Sequence, residues 1–401
     1  GARALDLNTT GGNNTAVGTN ALGANTTASS NTAVGYGALI SNTTGTENVA
    51  IGSNALDANT TANNVTAVGH HALSANTTGA NNTAIGPFAL YKNTTGTKNL
   101  AVGPLAMQEN TTGDYNVAIG HEALEANTTA SYNTSVGFES LTTNTTGAEN
   151  CAFGYRTLKA NTTASYNTSF GYASLYVNTT GDNNTAFGNA ALQANTTGTS
   201  NTAVGQAALV GNTTGQNNVA LGRRTLEANT TGGLNVAVGS SALLENTTGD
   251  HNTAVGYVAL YTNTTGTKNI AFGGYALQQN TTGDQNLGVG YNALGANTTG
   301  TVNVAVGNYS LDANTTGIRS TAVGYEALTS NTTGGQNVAL GAYALTGSTT
   351  GNSNTAIGYD CFSNAGTTGN TADNNTAVGA YSFKVNTSGA DNVAVGYAAL
   401  T

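Results

Sequence analysis

The residues of this sequence whose type and spacing best suit chemistry are tyrosines. Tyr257, Tyr275, Tyr291, Tyr309, Tyr325, Tyr343, Tyr359, Tyr381 and Tyr397 form a series in which a longer interval, as from Tyr257 to Tyr275, alternates with a shorter one, as from Tyr275 to Tyr291. The step from Tyr359 to Tyr381 is longer than either. An aromatic face with a phenolic hydroxyl suits stacking on sugars, which makes the row a candidate glycan-facing stripe. The plainer reading is that the rings pack on one another and cover a corner of the chain.

A second periodic feature is Asn-Thr-Thr, which begins at Asn8, Asn25, Asn42, Asn59, Asn76, Asn93 and Asn110 and continues at that same interval to Asn331. Each copy is formally an N-glycosylation acceptor. The strict interval favours a different role, in which the asparagines stack into a ladder of side-chain amides joined by hydrogen bonds. The paired threonines also form ranks, as an ice-binding surface would require, but they flank a glycine corner and not a flat strand.

Other reactive groups are scattered. His70, His71, His121 and His251 lack the spacing of a metal site, and Glu122, Glu125 and Glu139 occupy variable positions that suit solvated surface. Cys151 and Cys361 stand too far apart along a regular chain to pair. The one irregular stretch offers no general acid or base pair beyond Asp360 and Asp373. The sequence points to no enzyme activity, no cofactor and no metal.

The element that must carry these residues is a 17-residue repeat. Gly1, Gly18, Gly35 and Gly52 begin a series that keeps this interval to Gly358, takes one longer step to Gly379, and resumes the interval at Gly396. Residues 1–401 therefore read as one array of about 23 coils, with a four-residue insertion within 359–378, cut from a longer protein. Counted from its opening asparagine, the unit is N-T-A-V-G-x-x-A-L-x-x-N-T-T-G-x-x, nearly undiluted over Asn31–Glu47. A unit of this length is too short for helical-hairpin or leucine-rich repeats. Thr, Val, Ile and Phe alternating with Ala at the second to fourth positions read as a short strand. The Ala-Leu at the eighth and ninth positions reads as a second strand, and glycines at the fifth and fifteenth as corners. The fold class expected is all-β, a parallel solenoid of stacked coils.

No charged residue stands at the second, third or fourth position of any unit. Both faces of the strand therefore read as buried, one inside the coil and one against a partner. A homotrimer is the economical arrangement, and a single chain with a thick cover of its own is the alternative. Composition narrows the partners further. Only 7% of residues are charged, the net charge is −9, and ten Lys and Arg are dispersed, so a nucleic-acid partner is not expected. No apolar run is long enough for membrane insertion by this segment.

The unit N-T-A-V-G-x-x-A-L-x-x-N-T-T-G resembles the head repeats of trimeric autotransporter adhesins. It is also similar to the 17-residue arrays of bacterial surface proteins and phage tail fibres that precede an endosialidase-type intramolecular chaperone. The resemblance covers the whole chain and implies a left-handed parallel β-roll, a trimer, and a location outside the cell, on a cell surface or on a virion. The expected function is an extracellular structural rod of an adhesin or tail fibre, with cell-surface glycans as candidate ligands. A self-assembling filament or sheath subunit, and an ice-binding surface, are the alternatives.

Overall fold

A computed structural model describes residues 1–363 and 369–400. Residues 364–368, in the stretch 359–378 that carries the four-residue insertion, lie outside the described residues. The chain is a parallel β-solenoid with one three-residue strand per turn and no helix among the described residues. It divides into two units, Gly1–Ser200 and Asn201–Thr401. The first holds β1 (Thr15–Val17) through β11 (Thr185–Phe187), and the second holds β12 (Thr202–Val204) through β23 (Val393–Val395).

Within each unit consecutive strands pair in parallel and in register, so that position falls on equivalent position. Thr32, Ala33 and Val34 face Val49, Ala50 and Ile51, and Val304, Ala305 and Val306 face Thr321, Ala322 and Val323. The register is forced by the pattern, since a slip of one residue would carry the alanine rank outward and the branched rank into a space sized for alanine.

The remainder of the coil is not a second strand, which corrects the reading of Ala-Leu. Positions six to eleven are turns, and the seventh and ninth residues have left-handed backbone, as in Asn54 (φ 53°) and Leu56 (φ 55°). A leucine in this region is strained by its Cβ. It is held there because the side chain is wholly buried and its N–H reaches the next coil, as from Leu39 to the Ala55 carbonyl at 3.1 Å. Burial of a large apolar side chain, worth about 1.5–3 kcal/mol, is of the size needed to offset that strain, about 1–3 kcal/mol. Alternating left-handed residues fold the segment too tightly for an extended run.

The two glycine corners also differ. Gly35 at the fifth position has φ 139°, and a Cβ there would stand 2.3 Å from the Gly52 carbonyl oxygen. The fifteenth position has no positive φ and accepts Ala28, Ala62, Ala130 and Ala164, so it is a site of close approach, not of forced backbone.

The core is thin. It consists of alanine at the third and eighth positions, leucine at the ninth, and asparagine at the first and twelfth, nearly all without solvent exposure. Where the third position is serine in unit one, the eighth is serine too. Ser135 meets Ser140 at 2.5 Å and Ser169 meets Ser174 at 2.6 Å between hydroxyl oxygens. A polar group placed in the core is thereby answered by another across the same coil.

The second and fourth positions look outward and are half-buried or exposed. Ile51 is 41% exposed, Phe272 55% and Leu340 46%. Of the two faces read as buried, the chain itself buries only the alanine face.

Candidate functional site

The asparagine ladder forms as the spacing implies. Asn42 donates from Nδ2 to Oδ1 of Asn25 at 3.2 Å and to the carbonyl of Gly45 at 2.9 Å. Asn59 repeats this to Asn42 and Ala62, and Asn93 and Asn110 do the same one and two coils beyond Asn76. These side chains are fully buried with both amide hydrogens engaged, so glycosylation of an inner Asn-Thr-Thr would require the ladder to be broken.

A second ladder, which sequence reasoning passed over, runs along the first position. The N–H of Asn48 donates to Oδ1 of Asn31 at 3.0 Å, and Asn31 Nδ2 donates to the Gly45 carbonyl at 2.9 Å. The signal was present as the asparagine that opens almost every unit. The threonine ranks divide: the hydroxyl of Thr43 donates to the Thr60 carbonyl at 3.0 Å, while Thr44 and its equivalents are exposed.

All nine candidate tyrosines lie in the second unit, and they form one unbroken row. Successive ring centroids from Tyr257 to Tyr397 are 5.5–6.3 Å apart with interplanar angles of 69–89°. The zigzag between sixth and seventh positions produces this edge-to-face order. Where the ring is on the seventh position, the sixth carries Gly274, Ala342 or Ala380, which leave room for the neighbouring rings, or Asn308, whose Oδ1 accepts from the Tyr291 N–H at 2.9 Å. Backbone bonds accompany the rings, as from the N–H of Tyr275 to the Tyr257 carbonyl at 3.0 Å. In each contact the edge of one ring meets the face of the other, so part of the surface that a sugar would stack upon is occupied by tyrosine. A hydrogen bond to Glu326 pushes the Tyr325 phenol up to about 12.

The first unit carries its own aromatic ranks, built differently. His121, Phe138, Tyr155 and Tyr172 share the sixth position of four consecutive coils and stack face to face at 5.2–5.4 Å. Phe153, Phe170 and Phe187 stack at 4.7 Å on the outward fourth position. His70 and His71 pack with Phe88 and Tyr91. An aromatic recurring at the repeat interval was the available signal. Glu139 pairs with Arg156 at 2.8 Å and with Lys159, and the Lys159 hydrogen bond, with that of Arg156, holds its carboxyl below the ordinary range.

Among the described residues no group of three or more His, Cys, Asp or Glu could hold a metal ion. A depression of about 380 Å³ lined by Tyr132, Thr134, Glu149, Asn150 and Cys151 lies beside β9 (Cys151–Phe153). Burial raises the Cys151 thiol, the wrong direction for a nucleophile. Cys361, also free, is fully enclosed and pushed up to about 11. No helix of the described residues is long and apolar enough to cross a membrane. No protein-family model, curated protein or solved structure matches this chain.

Proposed function

We propose that this chain is an extracellular structural rod, the shaft or head of an adhesin or tail fibre, assembled as a homotrimer through the outward face of its strands. The observation that carries this reading is the fourth position. It is Val, Ile, Leu or Phe in every one of the 23 strands, never polar or charged, and it is half-buried or exposed in all of them. Beside it the second position is Thr in twelve strands and Val, Leu, Ile or Cys in the other eleven. The continuous apolar strip of each unit is therefore the fourth rank, advancing about 4.8 Å per coil, with a mixed apolar and threonine rank alongside. An unbroken apolar row on a surface marks an interaction site.

The occupant that fits is a second and third copy of the same chain. A flat apolar strip repeating at one fixed spacing is matched at every coil only by a surface with the same spacing, and another copy has it. The surface location rests on the likeness of the repeat to adhesin heads and tail-fibre arrays. A scaffold role also suits a molecule whose buried polar groups are committed to holding coil to coil. Sedimentation equilibrium of the chain, 39.8 kDa as a monomer, should report three times that mass. A monomer at micromolar concentration overturns the assembly.

A further inference from the structure

Where the first unit has only isolated tyrosine pairs, Tyr115 with Tyr132 and Tyr155 with Tyr172, the tyrosine row of the second unit combines three properties. It is continuous over nine coils, its rings are in contact with one another, and most of them are exposed, Tyr257, Tyr291, Tyr325, Tyr359 and Tyr397 among them. Few side chains compete for an oxidant in this unit. The chain has no Trp, and Cys361 is enclosed; Met107, the single methionine, is fully buried in the other unit, which also holds the half-buried free thiol of Cys151.

We propose that this row is a site of oxidative cross-linking, at which a one-electron oxidant of the peroxidase class, consuming hydrogen peroxide, joins tyrosines of adjacent coils as dityrosine. Each of two phenols gives up one electron and one proton. The two tyrosyl radicals form a carbon–carbon bond between ring carbons ortho to oxygen, and the hydrogens on those carbons move to the phenol oxygens as the rings regain aromaticity. Peroxide takes up the two electrons and two protons and leaves as two waters. A radical formed on any inner ring has a tyrosine on either side at 5.5–6.3 Å, and exposed rings can turn about their side-chain bonds to bring ortho carbons together. The product is a covalent tie between coils otherwise held by hydrogen bonds and packing, in a row whose regular neighbours make every link local.

The sparse basic residues make the links readable. Cleavage after Lys268, Arg319 and Lys384 separates Tyr257 from Tyr275, Tyr309 from Tyr325, and Tyr381 from Tyr397. The full chain treated with peroxidase and dilute peroxide should gain dityrosine fluorescence, still run as one chain in denaturing electrophoresis, and yield these neighbouring peptides joined through those pairs. Changing Tyr309→Phe and Tyr325→Phe together keeps both rings and removes both phenols. It should abolish the link between peptides 269–319 and 320–384 while leaving the circular dichroism and the other two links unchanged. The contacting pairs Tyr115–Tyr132 and Tyr155–Tyr172 can couple by the same chemistry. The proposal fails if no dityrosine forms in the row, if the links join different molecules, if they fall on tyrosines that stack on no other ring such as Tyr36 or Tyr166, or if the double variant keeps the central link.

Discussion

Asn331 and Ser348 mark a break in the twelfth-position ladder. Oδ1 of Asn331 is buried and has no partner among the described residues, because one coil further on Ser348 presents a hydroxyl, itself unpartnered, where earlier coils present an amide. Elsewhere the same oxygen is met, as when Asn331 donates to Oδ1 of Asn314 at 2.9 Å. A buried acceptor without a donor costs about 1–3 kcal/mol. Ser348→Asn should therefore raise the melting temperature, by about 1 kcal/mol of stability. The reverse change inside the ladder, Asn127→Ala, leaves the Asn110 oxygen and one amide hydrogen of Asn144 without partners, while the Ala130 carbonyl keeps Asn116 and the Asn144 amide keeps Gly147, and should cost about 1–3 kcal/mol. Thermal unfolding of the two variants checks both signs, and a neutral Asn127→Ala would show that the ladder contributes nothing.

The two glycine corners of the unit should respond differently to a methyl group. Gly137 has φ 138°, and a Cβ would lie 2.2 Å from the Gly154 carbonyl oxygen, so Gly137→Ala meets both strain and backbone. Gly96 has no positive φ; a Cβ there would stand 2.4 Å from Oδ1 of Asn93 and 2.6 Å from the Gly113 carbonyl oxygen, but alanine already occupies its equivalent at Ala62 and Ala130, so these neighbours can give way. Gly137→Ala should cost about 1–3 kcal/mol from backbone strain alone, and Gly96→Ala well under half of that. Equal losses in chemical denaturation would refute the distinction between the two corners.

These cases show what was legible in the sequence. Period, strand position and the buried asparagine rank can be read because each rests on chemistry that repeats in register. The Ala-Leu segment reads as a strand in sequence and folds as a turn because left-handed leucine is a tertiary outcome. Nothing in the residue itself announces it, and only packing against the neighbouring coils stabilises it. The tyrosine row is legible as a row, but its edge-to-face order depends on the small residues opposite, Gly274 and Ala342 among them, and on the coil spacing. The strand faces are half legible. An uncharged pattern marks a surface that avoids charge, and it does not say whether the chain itself covers that surface.

The Tyr325 phenol supplies a test by pH. Its hydrogen bond to Glu326 favours the protonated form and raises its pKa to about 12. A group raised in the folded state contributes stability that is fully present below its unfolded value of about 10 and is lost as pH rises through about 12. Ultraviolet titration of the phenols should show one late component, and Glu326→Gln should move it down toward the ordinary range. An unchanged titration in that variant would mean that Glu326 does not hold the proton on Tyr325.

Two adjacent residues of β18 (Val304–Val306) separate folding from assembly. Ala305 has no solvent exposure and faces the interior, whereas Val306 lies on the outward rank. A carboxylate at 305 would be enclosed without a partner, at a cost of several kcal/mol, so Ala305→Glu should abolish the β-sheet circular dichroism. A carboxylate at 306 projects from the coil and leaves its interior untouched. In the free chain Val306→Glu should therefore fold with a melting temperature close to the parent's under conditions where both are monomeric. In a trimer it would set three like charges on a shared apolar surface, and the variant should sediment as a monomer or dissociate at far lower dilution than the parent. If Val306→Glu folds and still forms a trimer, the copies meet through some other surface and the outward rank is not their interface. If it fails to fold, the fourth position belongs to the core, and the assignment of the two strand faces is wrong.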